Sequence, residues 1–223
     1  MSGETVMRYK TVIFDLDGTL LNTLEDLATA TNYALAQHGL PLRTTEEVRW
    51  FVGNGIRKLI ERAVPDGTPQ AEQEAVYATF NEYYKLHCND STKAYDGVME
   101  LLDVLRKAGV KTAIVSNKAD YGVQELTKQY FADKLDAACG ERSGIVKKPA
   151  PDMVFAVMKK LGAVKETTIY VGDSDTDLET AHNAGVACIG ACWGFRGREF
   201  LLAHGAKLLA ETPAEVLSLL EGI

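Results

Sequence analysis

The sequence predicts an α/β protein: a parallel sheet covered by helices on both faces and interrupted, just after its first strand, by an all-helical insert. Three observations predict it. A short apolar run, "KTVIFDLD" at 10–17, stands alone near the start. Residues 23 to about 90 carry only helical periodicity. From about residue 92 onward, short β-branched runs alternate with amphipathic stretches.

"KTVIFDLD" reads as a buried strand, being short, apolar and stopped by polar residues. From Thr23 the period changes: Leu24, Leu27, Ala28, Thr31, Ala34 and Leu35 recur at helical spacing. Thr23 and Asp26 have the spacing of a capping box, and Gly39 is the stop. Thr44 and Glu47 open a short helix carrying Val48, Phe51 and Val52, which "GNG" at 53–55 interrupts. Ile56, Leu59, Ile60 and Ala63 continue a helical face. Pro69 suits the first turn of a last helix through Val76, Phe80, Tyr84 and His87.

Beyond the insert, "GVMELLDVLRKAG" is a helix, "VKTAIVSN" a strand ending polar, and "KADYGVQELTKQY" a helix. "KLDAACG" is a short strand, "APDMVFAVMKKLG" a helix, and "ETTIYVGDSD" a strand ending in acids. "TDLETAHNAG" is a helix closed by Gly185; "VACIGACWG" and "AKLLA" are the last strands and "PAEVLSLLEG" the last helix. This alternation implies right-handed crossovers and a parallel sheet buried on both faces. The expected organisation is a discontinuous core of residues 1–21 and 92–223 with a helical domain at 22–91.

Hydrophobic residues at 46% and charged residues at 25% are those of a globular domain, so the chain can bury a core. A net charge of −7 disfavours a nucleic-acid partner, and an anionic substrate would need a local cationic site. Cys88, Cys139, Cys188 and Cys192 match neither a zinc half-site nor a disulfide framework. Cys139 and Cys188 lie in apolar runs and read as small buried hydrophobes, which suits a reducing compartment. "MSGETVMRYK" has no apolar signal region, and no run approaches a membrane span. The expectation is a cytoplasmic protein without a membrane partner, monomer or homodimer.

Ligands of open α/β sheets sit beyond the carboxyl ends of the strands. Three strands here end in reactive residue types: Asp15 and Asp17, then Ser116 and Asn117, then Asp173. Lys148 stands in the loop "VKKPAPD". Two carboxylates as close as Asp15 and Asp17 repel each other unless a cation or a shared proton is present. Carboxylates, a hydroxyl or amide and an ammonium together fit an oxygen-liking divalent cation and a phosphate.

"DLDGT" at 15–19, "VSN" at 115–117, "KPAP" at 148–151 and "GDSDTD" at 172–177 resemble, in order and spacing, the four motifs of the haloacid dehalogenase-like hydrolases. The resemblance spans the core and implies a Rossmann-like parallel sheet, with the helical insert as the cap of the first subclass. "VGNGIRKLIERA" and "WGFRGREFLLAHGA" resemble the phosphoglycolate phosphatase branch. By this resemblance Asp15 is the nucleophile and Asp17 the acid/base, and both join Asp173 in holding Mg²⁺, Asp17 through its backbone carbonyl. Ser116, Asn117, Gly18 and Thr19 would hold phosphate oxygens, and Lys148 would add positive charge and fix Asp15. Asn54 and Arg57 become candidate substrate contacts. Many relatives carry an acid where this chain has Asn22.

Several residues keep two readings. Asp177 either supports the metal site from behind or caps the following helix. Lys147 competes with Lys148, with the Lys-Pro pairing favouring the latter. Asn54 and its flanking glycines can be mere helix breakers and Arg57 a solvated charge, while Trp193 and Phe195 read as packing residues. His38, His87, His182 and His204 share no ligand spacing. A calcium loop at 173–184 fails because Leu178 and Ala184 stand where Gly and Glu are required.

The implied function is a Mg²⁺-dependent phosphatase of a small phosphorylated metabolite, with 2-phosphoglycolate the first candidate. A β-phosphoglucomutase-like mutase and an inorganic pyrophosphatase are the alternatives on the same scaffold. A dehalogenase needs neither Asp17 nor a metal, and relatives that hydrolyse phosphonoacetaldehyde usually lack the second acid. A non-catalytic binding module is disfavoured by four intact motifs.

Overall fold

The computed structural model describes residues 7–221. They fall into two compact units, one running through Leu20 and again from Ala94 onward, the other Leu21–Lys93.

The first unit is built on a six-stranded sheet. Strands β1 (Thr11–Phe14), β4 (Lys111–Ala119), β5 (Ala137–Glu141), β6 (Thr168–Gly172), β7 (Ala187–Ala191) and β8 (Leu208–Ala210) lie in the order β5-β4-β1-β6-β7-β8. Every pairing recorded between these neighbours is parallel. All four residues of β1 are buried, as expected of a central strand covered on both faces. Phe14 registers with Ile114 on one side and Val171 on the other, so β1 and β6 end side by side while β4 runs on beyond them to Ala119. The strand order reverses across β1, which makes this edge the place where a ligand can enter between diverging loops.

Helices α5 (Val98–Lys107), α6 (Asp120–Leu126), α7 (Asp152–Leu161), α8 (Asp175–Ala184), α9 (Arg198–Ala203) and α10 (Pro213–Glu221) complete this unit. Ile13, Val115, Cys139, Met153, Val157, Tyr170 and Ala181 form one buried cluster, so β1, β4, β5 and β6 share a core with α7 and α8. Cys139 is fully inside that core and Cys188 packs half-buried against it.

The second unit holds α1 (Leu24–Gln37), α2 (Thr45–Phe51), α3 (Ile56–Ala63) and α4 (Gln70–His87), with α1 packed along α4. Its buried face is Leu27, Ala34 and Leu35 against Val76, Phe80 and Tyr84. Short strands β2 (Leu21–Asn22) and β3 (Lys93–Ala94) pair as a two-stranded ribbon, which the sequence pattern does not announce. No helix among the described residues is long and apolar enough to cross a membrane.

Four local expectations are corrected. Thr23 and Asp26 make no capping box: Thr23 caps α1 without a side-chain bond. The buried Asp26 carboxylate instead accepts from the Ser91 N–H, the Thr92 N–H and the Thr92 hydroxyl, at 2.9, 2.9 and 2.6 Å. Three donors of the returning chain outweigh the single N–H a capping box would offer. The capping box forms one helix later, between Thr44 and Glu47. Lys118 and Ala119 belong to β4 rather than to the helix that follows, because Ala119 pairs with Glu141 of β5 across an irregular register. Finally, the helix from Asp120 widens into a π-helical turn, Thr127–Phe131, and α9 is an additional short helix inside the glycine-rich stretch after β7.

Candidate active site

The polar strand ends converge within the first unit. Asp15 follows β1, Ser116 and Asn117 lie in the far half of β4, Asp173 follows β6, and Lys148 comes from the loop before α7. Lys148 is the centre of the cluster. Its ammonium stands 2.9 Å from Asp15 Oδ1, 2.7 Å from Asp177 Oδ1 and 3.2 Å from the Tyr170 hydroxyl. Lys147 turns outward and pairs with Glu141 at 3.6 Å.

The surroundings hold Lys148 in place from both ends. The Asn117 side chain clamps its backbone, accepting the Lys148 N–H at 2.9 Å and donating to the Lys148 carbonyl at 3.1 Å. The Tyr170 hydroxyl accepts from the ammonium and donates to the Val115 carbonyl at 3.0 Å. Asp177 is both helix cap and counter-ion. Its Oδ2 accepts from the Ser174 N–H and hydroxyl at 3.1 and 2.6 Å, opening α8 with a capping box, while Oδ1 faces Lys148. Of the two readings of Asp177, the helix cap is the one seen, and the same carboxylate also faces Lys148.

Asp15 Oδ1 accepts from the Leu16 N–H at 2.7 Å as well as from Lys148. Asp173 is seated by two donors: the Thr19 hydroxyl to Oδ1 at 3.1 Å and the Phe195 N–H to Oδ2 at 2.8 Å. The Thr19 side chain is thus engaged with a carboxylate. Gly18 has φ +86°, and a Cβ there would lie 2.5 Å from Asp173 Oδ2, so only glycine lets the carboxylate approach this closely. Gly194 is equally tight, since its Cβ would fall 2.3 Å from both Asp173 Cβ and the Gly18 carbonyl oxygen.

The electrostatics follow from burial. Desolvation pushes the Asp15 carboxyl well above the ordinary aspartate range; Lys148 pulls it back, and Asp177, Asp173 and Asp17 push it up again. Burial and the Asp177 charge push Asp173 up to about 7. Burial works against the Lys148 charge, yet Asp15 and Asp177 override it and hold the ammonium above the ordinary lysine range. Asp15, Asp173 and Asp177 bring carboxylate oxygens within 4.8 Å of one another. An all-oxygen, like-charged and buried donor set suits a small divalent cation. Asp177 has one oxygen against the Lys148 ammonium, whereas Asp173 meets only the neutral Thr19 and Phe195 donors and Asp15 keeps Oδ2 unengaged among the described residues, so Asp15 and Asp173 are the carboxylates better placed to hold one.

The sequence profile of the haloacid dehalogenase-like hydrolases matches residues 12–191. The chain belongs to this family. A phosphoglycolate phosphatase of Pseudomonas syringae pv. syringae (strain B728a) is 35% identical over 214 residues, covering 93% of this chain and 76% of that protein. A phosphoglycolate phosphatase of Haemophilus influenzae (strain ATCC 51907 / DSM 11121 / KW20 / Rd) is 32% identical over 221 residues, 96% of this chain and 99% of the relative. A solved protein of Lactobacillus delbrueckii subsp. bulgaricus, provisionally named a phosphoglycolate phosphatase, superposes with a TM-score of 0.92 at 36% identity over 97% of this chain. With these relatives, this haloacid dehalogenase-like hydrolase is an enzyme of the phosphoric monoester hydrolase class.

The remaining candidates lie elsewhere or play other parts. Asn54 and Arg57 belong to the helical unit. There Asn54 accepts from Arg62 at 2.8 Å, while Arg57 pairs with Glu74 and lies 4.2 Å from the Tyr77 ring centre. Arg57, Ile60, Gln73 and Tyr77 line a cleft of about 410 Å³ in that unit. Asn22 accepts from the Leu24 N–H at 3.4 Å at the start of α1.

Five contributors escaped the sequence reading. Lys118 pairs with Asp17 at 3.2 Å. Tyr170 and Ser174 support the Lys148–Asp177 pair. In the stretch after β7, the Phe195 N–H holds Asp173 and the Trp193 indole donates to the Thr19 carbonyl at 2.9 Å. The available signal was the glycine-rich "CWGFRG", which marks backbone brought close to something.

Proposed function

We propose that this chain is a Mg²⁺-dependent phosphatase of small phosphorylated metabolites, 2-phosphoglycolate foremost, that works through an aspartyl phosphate on Asp15. The observation that carries this reading is the Asp15 carboxylate itself. Oδ1 is tied to Lys148 and the Leu16 N–H, while Oδ2 takes no hydrogen bond among the described residues and is left to attack. Phosphoglycolate comes first because it is the named substrate of the relatives above.

Asp15 Oδ2 attacks phosphorus, and the bond from phosphorus to the ester oxygen breaks. Asp17 gives its proton to the departing alkoxide. Water then attacks the aspartyl phosphate, Asp17 takes the proton back, and inorganic phosphate leaves with Asp15 restored. Ser116, with the Asn117 N–H, receives the phosphate oxygens, and Lys148 keeps Asp15 aimed and ionised. Asp15, Asp173 and the Asp17 carbonyl would hold Mg²⁺, whose charge would offset the repulsion between a carboxylate and a phosphate dianion. By the family resemblance, the helical unit is the cap domain, and Asn54 and Arg57 are its candidate substrate contacts.

The first test is phosphate release from a panel of phosphoglycolate, sugar phosphates, nucleotides and pyrophosphate, with and without Mg²⁺. Mg²⁺-dependent release led by phosphoglycolate is expected. Release led by pyrophosphate, or conversion of a sugar phosphate to its isomer without free phosphate, would replace this substrate assignment.

A second expectation concerns pH. Asp173, raised to about 7, contributes stability to the metal-free protein that is present at acid pH and lost as pH rises through that value. Mg²⁺ binds the ionised carboxylates, so its stabilising effect should grow over the same interval. At roughly 100 times its dissociation constant, Mg²⁺ should raise the Tm by about 5–10 °C near pH 8 and much less near pH 5.5. An equal or larger rise at the acid pH would show that these carboxylates do not hold the ion.

A further inference from the structure

We propose that Lys118 is the specificity-determining residue for the leaving group, and that the enzyme's substrates are small phosphate esters whose alcohol carries a carboxylate beside the ester oxygen. This inference rests on the phosphatase reading above and on the place of Lys118 within it.

Lys118 has a side chain only 4% exposed, and a buried ammonium is costly unless anions face it. It lies two residues after Ser116 in β4. Its backbone N–H donates to Ser116 Oγ at 3.3 Å. Its stem packs along α6 at Gly122, where an added Cβ would rest at an ordinary contact distance, 3.5 Å, from Lys118 Cε. The ammonium arrives 3.2 Å from Asp17 Oδ1, longer than the roughly 2.7–2.9 Å of a tight charge-assisted bond.

The two buried lysines divide the site. Lys148 sits on the Asp15 and Asp177 side, behind the attacking oxygen. Lys118 sits on the Asp17 side, where the proton passes to the departing alkoxide. An alkoxide oxygen in hydrogen-bond contact with Asp17 lies about 3 Å from it. A carboxylate one carbon further on comes within reach of the same ammonium, whose three donors can serve Asp17 and a second anion together. Glycolate is the smallest alcohol of this form. A neutral alcohol gains nothing from Lys118.

The test compares phosphoglycolate with ethyl phosphate, in Mg²⁺, for the unaltered protein and for Lys118→Met. The unaltered protein is expected to prefer phosphoglycolate, and Lys118→Met to lower the ratio of the two kcat/KM values by about 10- to 100-fold. Lys118→Arg, which keeps the charge, should retain part of the preference. Calorimetric binding gives an independent readout on the unaltered protein: 3-phosphonopropionate should bind more tightly than propylphosphonate. An equal loss on both esters would make Lys118 a positioning residue for Asp17 alone and overturn the proposal. So would an unaltered protein that favours ethyl phosphate, or that binds the two phosphonates equally. Absence of phosphate release from every ester by folded, unaltered protein is a different failure, that of the phosphatase reading itself.

Discussion

Replacing Asp15 by Asn should abolish phosphate release, by at least about 10⁴-fold, while the folded protein stays intact. The loss is large because the variant keeps the shape of the site and removes only the attacking oxygen. The Asn carbonyl oxygen can still accept from the Leu16 N–H and from Lys148, as Asp15 Oδ1 does. The amide nitrogen then stands where the nucleophile was. Stability should change little, because the substitution removes a buried charge that Asp177, Asp173 and Asp17 all oppose. Lys148 keeps Asp177 as its counter-ion. A Tm within about 5 °C of the unaltered protein, with no phosphate release above background, is the expected pair of results. Turnover near the original rate by folded Asp15→Asn protein would remove Asp15 from the role of nucleophile.

Lys148→Met should be the most destabilising substitution in the site. The ammonium is buried between two buried carboxylates, and its removal leaves both without their cation. Breaking a buried pair from one side costs about 3–5 kcal/mol, a Tm decrease of about 10 °C or more in a domain of this size. The loop itself should hold, since Asn117 grips the backbone of residue 148 and not its side chain. Activity should fall by at least about 10²-fold, through loss of the charge that aims Asp15. The stability deficit should narrow as pH falls. The sign follows from Asp15, whose carboxyl burial pushes up: once protonated it no longer needs the cation. An unchanged melting curve at neutral pH would mean that Lys148 is not the counter-ion of these two carboxylates.

Much of the architecture was legible because it is local. The buried run Thr11–Phe14 could be read as a strand from its composition, and α5, α7 and α8 from their apolar spacing. The strand-end residues Asp15, Ser116, Asn117 and Asp173 stood out because polar groups closing a buried strand need a reason. Asp26 was misread because Thr23 and Asp26 have capping-box spacing, and spacing does not reveal that Ser91 and Thr92 return to the same carboxylate. Lys118 was misplaced for a similar reason. Lysine and alanine favour helix, and only pairing with β5 draws residues 118 and 119 into the strand. The Phe195 N–H was invisible because every residue except proline carries the same donor.

The sequence by itself determined the succession of strands and helices and the reactive residue types at the strand ends, since both are written in near neighbours along the chain. Which acid faces which base was decided only by the tertiary structure. Asp17 meets Lys118 across 101 residues and Thr19 meets Asp173 across 154, while Asp15 and Asp177 share one lysine from a loop between them. The physical reason is that a buried charge takes its energy from whatever surrounds it, and those surroundings exist only once β1, β4 and β6 lie side by side.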